Sequence, residues 1–250
     1  MSKIKIMDEI LANKIAAGEV VEKCVSIVKE LVENSIDAKS TIIKIDLLGS
    51  GIDEIKVITN ENSEARCGTE ITVRKLFYNT PARLKHLGSL YSELANIVDF
   101  VNKIALSYPD ISFTLTNDGK TKLNKEGNGN LLKEINNKYG IDVTKKMIEI
   151  NNTDGEYEIY GYISMPEVTK SSRNSIVTIV NGRVVRNVEI NRCINDSYHT
   201  YKPEDRYPIV VLKIEVDTSL TDVNIHPTKQ DIKFGKLEEL KELISSTIID

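Results

Sequence analysis

The stretch KELVENSIDA, residues 29–38, constrains this chain more than any other, because it sets an acid and an amide on one stripe of a helix. Glu30, Asn34 and Asp37 are four and three residues apart, so they share a face. Around them Val21, Val25, Ile27, Val28, Leu31, Val32 and Ile36 make the rest of the helix largely apolar. A helix apolar on most sides belongs inside a domain, and a polar stripe there needs partners, since unpaired buried carboxylates and amides are costly. Two readings are open at this point. Either the stripe is solvated and Lys29 pairs with Glu33, or Glu30 is a general base beside Asn34, an amide that orients a metal ion.

A chain of 250 residues can bury one large core or two ordinary ones. No apolar run in it approaches the roughly 20 residues of a membrane span. The opening MSKIKIMDEI has no apolar stretch long enough for a secretory signal, so a cytoplasmic protein is expected. Cys24, Cys67 and Cys193 are odd in number, far apart and without metal-type spacing, which predicts reduced thiols. The net charge of −4 excludes a generally basic nucleic-acid binder; any DNA contact has to come from a local patch or a partner.

Strands are predicted at Ile42–Leu48 and Ile52–Ile58 around Gly49-Ser50-Gly51, and at Thr69–Val73. A helix follows over 90–109, then a hairpin turning at Asn117-Asp118-Gly119 between strands Ile111–Leu115 and Lys120–Leu123. The Gly- and Asn-rich residues 124–130 are the best candidate for a domain boundary. Beyond it the pattern predicts a short helix at Leu131–Tyr139 and strands at Met147–Ile150, Tyr157–Ser164, Ser175–Val180, Arg183–Val185 and Tyr207–Val216. Helices are predicted at Val188–Tyr198 and Lys236–Ile249. Strands and helices mix without strict alternation, which favours two α+β domains over one doubly wound sheet.

Five motifs in order carry a family resemblance. LANKIAAGEVVE (11–22) with KELVENSIDA, then GTEITVRKLFYNTPARLKHL (68–87), FTLTNDGKTKL (113–123), IVNGRVVRN (179–187) and DVNIHPTKQDIKF (222–234) resemble the N-terminal region of the MutL family of DNA mismatch repair proteins. That family shares its ATPase superfamily with gyrase B-type subunits and histidine kinases. The resemblance implies an α+β fold with a Bergerat-type α/β sandwich over about residues 1–126 and a ribosomal-protein-S5-like transducer domain over 127–250. It implies magnesium-dependent ATP hydrolysis that switches homodimerisation and contacts with DNA, a mismatch-recognition protein and other repair factors, with no membrane association. The residue matching Glu30 activates the attacking water, and that matching Asn34 holds Mg2+. Gly68 and Thr69 match a pair closing the adenine end, and Lys229 matches a lysine that reaches the γ-phosphate. His226 looks structural, Phe77 and Tyr78 are expected in the core, and Arg83 receives no role. Lys170, Arg173, Arg183, Arg186 and Arg192 are a candidate DNA-contact cluster in the second domain.

The resemblance breaks at one place. Where the family has an Asp-Asn-Gly turn that binds adenine, followed by a glycine-containing lid, this sequence reads Ile58-Thr59-Asn60-Glu61-Asn62-Ser63 and continues to Gly68. Thr59 stands where the aspartate is expected, and the lid is absent between about 60 and 66. The expectation is weak ATP binding and negligible turnover. The alternative is a scaffold of the same fold that has lost nucleotide binding altogether.

Overall fold

The computed structural model of the chain describes residues 23–60, 68–222 and 233–249, and they fall into two compact units. One comprises the chain to Val101 and Ile111–Glu126. The other comprises Asn102–Asp110 and the chain from Gly127.

The first unit begins with α1 (Cys24–Asp37), followed by β1 (Ile42–Leu48), a 3-10 turn (Gly49–Gly51), β2 (Glu54–Asn60), β3 (Gly68–Arg74) and the short α2 (Pro81–His86). Then come α3 (Leu90–Ser107), β4 (Ser112–Asn117) and β5 (Lys120–Glu126). The five strands form one sheet in the order β3-β2-β1-β4-β5, with β1 and β4 parallel and every other pair antiparallel. One face carries Ile43, Ile45, Leu47, Ile55, Val57, Phe113 and Leu115, all at most 2% exposed. The other is a polar ladder in which Asp46 accepts from the Thr116 hydroxyl at 2.7 Å, Lys56 pairs with Glu70 at 3.0 Å and Arg74 with Glu54 at 2.6 Å. A sheet apolar on one face and charged on the other needs only one covering layer.

Part of that layer is α1, which lies on β1 and β2. It buries a single stripe, Cys24, Val28, Val32 and Ser35, while Val25, Ile27, Leu31 and Ile36 are half-buried. The expectation of a helix enclosed on most sides therefore fails. Contact with a sheet uses one stripe at i, i+4, i+8, and the flanking apolar residues shield its edges. The first N–H of α1 has no local cap; it donates instead to Glu93 Oε2 on α3 at 3.2 Å, and Glu93 is only 1% exposed. Phe77 is buried at 8% exposure, but Tyr78 is 76% exposed, so only the first belongs to the core. The turn that holds Phe77 at a positive φ of 67° directs the next side chain outward.

The second unit contains the last turns of α3, α4 (Leu131–Tyr139), α5 (Ile141–Thr144), β6 (Met147–Thr153), β7 (Tyr157–Ser164), β8 (Thr169–Lys170), β9 (Ile176–Val180) and β10 (Arg183–Val185). It continues with α6 (Val188–Ser197), β11 (Tyr207–Pro208), β12 (Val210–Val216), β13 (Thr221–Asp222), β14 (Lys233–Phe234) and α7 (Leu237–Ile249). Its main sheet runs β10-β9-β12-β7-β6, with β9 and β12 parallel. Alternation along β9 feeds two cores. Ile176 and Val180 join Ile190 and Ile194 of α6 and Leu240 and Ile244 of α7, whereas Val177 and Ile179 join Leu106 of α3 and Ile135 of α4. Helices on both faces explain why all five residues of β9 are buried.

Candidate functional site

Glu30, Asn34 and Asp37 lie along one side of α1, and all three are exposed. Lys29 Nζ stands 3.7 Å from Glu33 Oε1, so the ion pair of the solvated reading is present beside them. The two readings do not exclude each other, because Glu30 and Asn34 side chains are engaged by no described residue and remain open to a ligand.

The sheet fixes the direction in which α1 runs. A methyl group on Gly51 would meet Cys24 and Ile55, so α1 begins over the Gly51 end of the sheet. It ends at the start of β1, where Thr41 N donates to Asn60 O at 3.2 Å. The helix is thus antiparallel to β1, and its last turns reach the edge formed by the end of β2 and the start of β3. There Thr59 faces Thr69 and Asn60 faces Gly68 across the ladder. Thr59 continues the buried column of Ile55 and Val57, so its side chain and that of Thr69 point to the α1 side. Asn34, Gly68 and Thr69, far apart in sequence, thus lie in one unit towards the same end of its sheet, while Glu30 stands at the middle of α1 on the side turned away from the buried Val28 and Val32.

At the ladder end itself Thr59, Asn60, Gly68 and Thr69 are all neutral. Thr59, 8% exposed, donates its hydroxyl to Thr69 O at 3.3 Å and accepts from Thr69 N at 3.2 Å. A side chain at Gly68 would collide with Asn60 Oδ1 and the Thr59 carbonyl, so glycine is what lets β3 start beneath Asn60. Among the described residues no group of three His, Cys, Asp or Glu side chains could hold a metal by itself. A magnesium ion bound with phosphates does not require one, since it uses one or two protein oxygens plus phosphate and water oxygens. The exposed amide of Asn34, one turn from the Glu30 carboxylate, fits that role. Lys229 and His226 lie outside the described residues, as does the whole segment 61–67.

The basic residues stand on several elements of the second unit. Arg173 Nε donates to the Tyr207 hydroxyl at 2.8 Å and its guanidinium stacks 5.5 Å from that ring, while Lys170 sits in β8 opposite Tyr207 of β11. Arg206, which has no distinguishing sequence signal after the two acids of PEDRYP, holds the same two-stranded piece through Thr169 Oγ1 at 3.1 Å and Thr169 O at 2.9 Å. Arg183 opens β10 at the sheet edge, Arg186 follows its end, and both are exposed. Arg192 instead pairs with Asp196 at 3.4 Å in a cleft of 580 Å³ between α6 and α7.

The matches to known proteins agree with this layout. A family model described as DNA mismatch repair protein, C-terminal domain, matches residues 135–250. The DNA mismatch repair protein MutL of Geobacillus sp. (strain WCH70) is 40% identical over 321 residues, covering 99% of this chain and 52% of that protein. The chain spans about half the length of the curated relatives it matches. The alignment length of 321 against a chain of 250 means that the Geobacillus protein carries at least 71 residues with no counterpart here. Among solved structures, the N-terminal domain of a DNA repair protein superposes with a TM-score of 0.84 at 18% identity, covering 98% of each chain. The Aquifex aeolicus MutL ATPase domain complexed with ADP does so with a TM-score of 0.60 at 20% identity, covering 90% of this chain and 98% of that one. With 40% identity along its whole length to proteins of one name, the chain is similar from end to end to the MutL family of DNA mismatch repair proteins.

Proposed function

We propose that this chain is the nucleotide-binding region of a cytoplasmic mismatch repair protein, taking ATP with Mg2+ at the end of α1 and using it to switch dimerisation and contacts with DNA and repair partners. The observation that carries this reading is the Glu30–Asn34 pair, exposed on α1 and one turn apart, in the same unit as the ladder end formed by Thr59, Asn60, Gly68 and Thr69. When bound, the nucleotide and its metal supply a polarised terminal phosphate. Glu30 holds a water and accepts its proton, Asn34 supplies a neutral oxygen to the metal, and Gly68 and Thr69 border the base. Neutrality at Asn34 matters, because a second carboxylate there would repel the triphosphate. Lys229 is proposed to contact the γ-phosphate and so to distinguish ATP from ADP. Lys170, Arg173, Arg183 and Arg186 are proposed to touch DNA phosphates weakly and without sequence preference. Domain limits near 126 and 127 and a missing lid at about 60–66 complete the reading.

Binding and turnover assays of variants test the site. Glu30→Ala should leave nucleotide affinity nearly unchanged while reducing what turnover there is by about 100-fold or more, within the usual range for a general base. Asn34→Ala should weaken magnesium-dependent binding as well, and Lys229→Ala should weaken ATP more than ADP. Turnover unchanged by Glu30→Ala would remove Glu30 from the mechanism.

A further inference from the structure

We infer that the cleft between α6 and α7 is a docking groove for an amphipathic helix of a partner protein, one that carries a basic side chain at one end of its contact face and an apolar side chain at the other. The cleft measures 580 Å³, and the residues lining it belong to the second unit, apart from those of the nucleotide reading. Along α6 its wall is a row four residues apart, Glu189, Cys193, Ser197 and Tyr201. Along α7 a second row of the same spacing comprises Lys241, Ser245 and Ile249. Cys193 Sγ donates to Lys241 O at 3.3 Å and Ser197 Oγ to Ser245 Oγ at 3.2 Å, so the rows advance together and the helices run parallel. Two parallel helices in contact leave a groove along their seam, and a row of side chains on a third helix is the shape that fills it.

The chemistry changes along the groove and states what that helix must carry. At the first end Lys241 is shared by two carboxylates, Glu238 at 2.8 Å and Glu189 at 3.6 Å, both more than half exposed. Arg192 and Asp196 match one for one at 3.4 Å. Three carboxylates thus stand against two cations, and the surplus negative charge favours a lysine or arginine. Midway, Ser197 and Ser245 satisfy each other. At the far end Tyr201 and Ile249, 64% and 58% exposed, offer a ring and a branched aliphatic chain side by side on the two walls. The charged end lies at the N-termini of α6 and α7 and the apolar end at their C-termini. A partner running antiparallel to both sets its C-terminal turn, where a cation is favoured by its own dipole, over Glu189 and Glu238. Lys241 and Ile249 are eight residues apart, about 12 Å, so the partner's apolar residue precedes its basic one by about eight positions.

The probe is a fluorescein-labelled synthetic helix of roughly sixteen residues, alanine and glutamine except for one leucine and, about eight residues later, one lysine. Its control carries glutamate in place of the lysine. Fluorescence anisotropy on the full chain should show the lysine peptide binding with a Kd below about 1 mM and the control at least about tenfold more weakly. Bound peptide should also slow alkylation of Cys193 by iodoacetamide, read by peptide mass mapping, because that thiol lines the groove. Glu189→Lys should reverse the order of the two peptides, and Ile249→Ala should weaken the lysine peptide by about threefold or more. Both side chains are mostly exposed, so neither substitution opens a packed core. Equal affinity for the two peptides, binding that leaves Cys193 alkylation unchanged, or no binding of the lysine peptide up to about 1 mM overturns the inference.

Discussion

At the residue scale the buried ends of α1 and of α6 are as informative as the candidate site. Cys24 is wholly buried, and its thiol is pushed up to about 12, first by burial and then by the neighbouring Glu93 carboxylate. A thiol held above its ordinary range is not a nucleophile at neutral pH. In the native protein Cys24 should therefore resist iodoacetamide at pH 8 and react only when urea unfolds the first unit, as peptide mass mapping would show; rapid native labelling would contradict its placement. Glu93→Ala strips the Cys24 N–H of its acceptor inside the protein, which should cost about 1–3 kcal/mol in urea unfolding. Nothing in the sequence announced this contact. Glu93 reads as an ordinary first-turn glutamate of an amphipathic helix, and its partner is 69 residues away. That Glu30 and Asn34 share one exposed side of α1 was legible because their spacing is local, whereas Arg206 was missed because its role depends on a strand pairing that no spacing encodes.

At the scale of elements, periodicity located what is long and missed what is short. β1 at Ile42–Leu48 and α4 at Leu131–Tyr139 fall where the pattern puts them, since seven to nine residues carry a full period. Two-residue strands such as β8 and β13 carry none. The apolar run Tyr207–Val216, expected as a single strand, is broken at Ile209: β11 pairs with β8, while β12 enters the main sheet between β7 and β9. The break is fixed by Ser164, whose hydroxyl oxygen accepts from Ile209 N at 3.0 Å and whose N–H donates to Ile209 O at 2.8 Å. Tyr198, at the end of α6, donates its own hydroxyl to Ser164 O at 2.7 Å, so one serine gathers a helix and two strands. Burial raises the Tyr198 phenol well above its ordinary 10.0, against a lesser opposing contribution from that hydrogen bond. A group whose folded value is raised contributes stability in full below its unfolded value and loses it as pH rises toward the folded one. The second unit should therefore lose stability above about pH 10, and Tyr198→Phe should flatten that loss while costing about 1 kcal/mol at pH 8. Equal alkaline slopes for the two proteins in urea titrations would show that Tyr198 is not the group responsible.

At the scale of the whole molecule the connection between β2 and β3 bears most on what the first unit can do. The strong family match and the 71 or more residues unmatched in the Geobacillus relative stand together. In this chain β2 and β3 are direct antiparallel neighbours joined by residues 61–67, with Asn60 opposite Gly68 at the open end of the ladder. We place the missing lid there, where the motif order also breaks. A site without a covering loop stays wet, which screens the carboxylate, the metal and the phosphates from one another and leaves the attacking water poorly held. Turnover by this chain should accordingly be negligible even with Glu30 and Asn34 in their proposed roles. The sharpest check adds rather than removes. Inserting about seventy residues of the Geobacillus protein, those that follow its counterpart of β2, between Asn60 and Gly68 lengthens a connection of seven residues roughly tenfold, at an entropic cost of only about 2 kcal/mol. The seven pairs of the β2–β3 ladder hold the two ends in register for it. If the lid is what this chain lacks, the chimera should gain magnesium-dependent ATP turnover that Glu30→Ala abolishes. A folded chimera as inactive as the parent would mean that the deficit lies in the residues of α1 or the sheet edge and not in the missing cover.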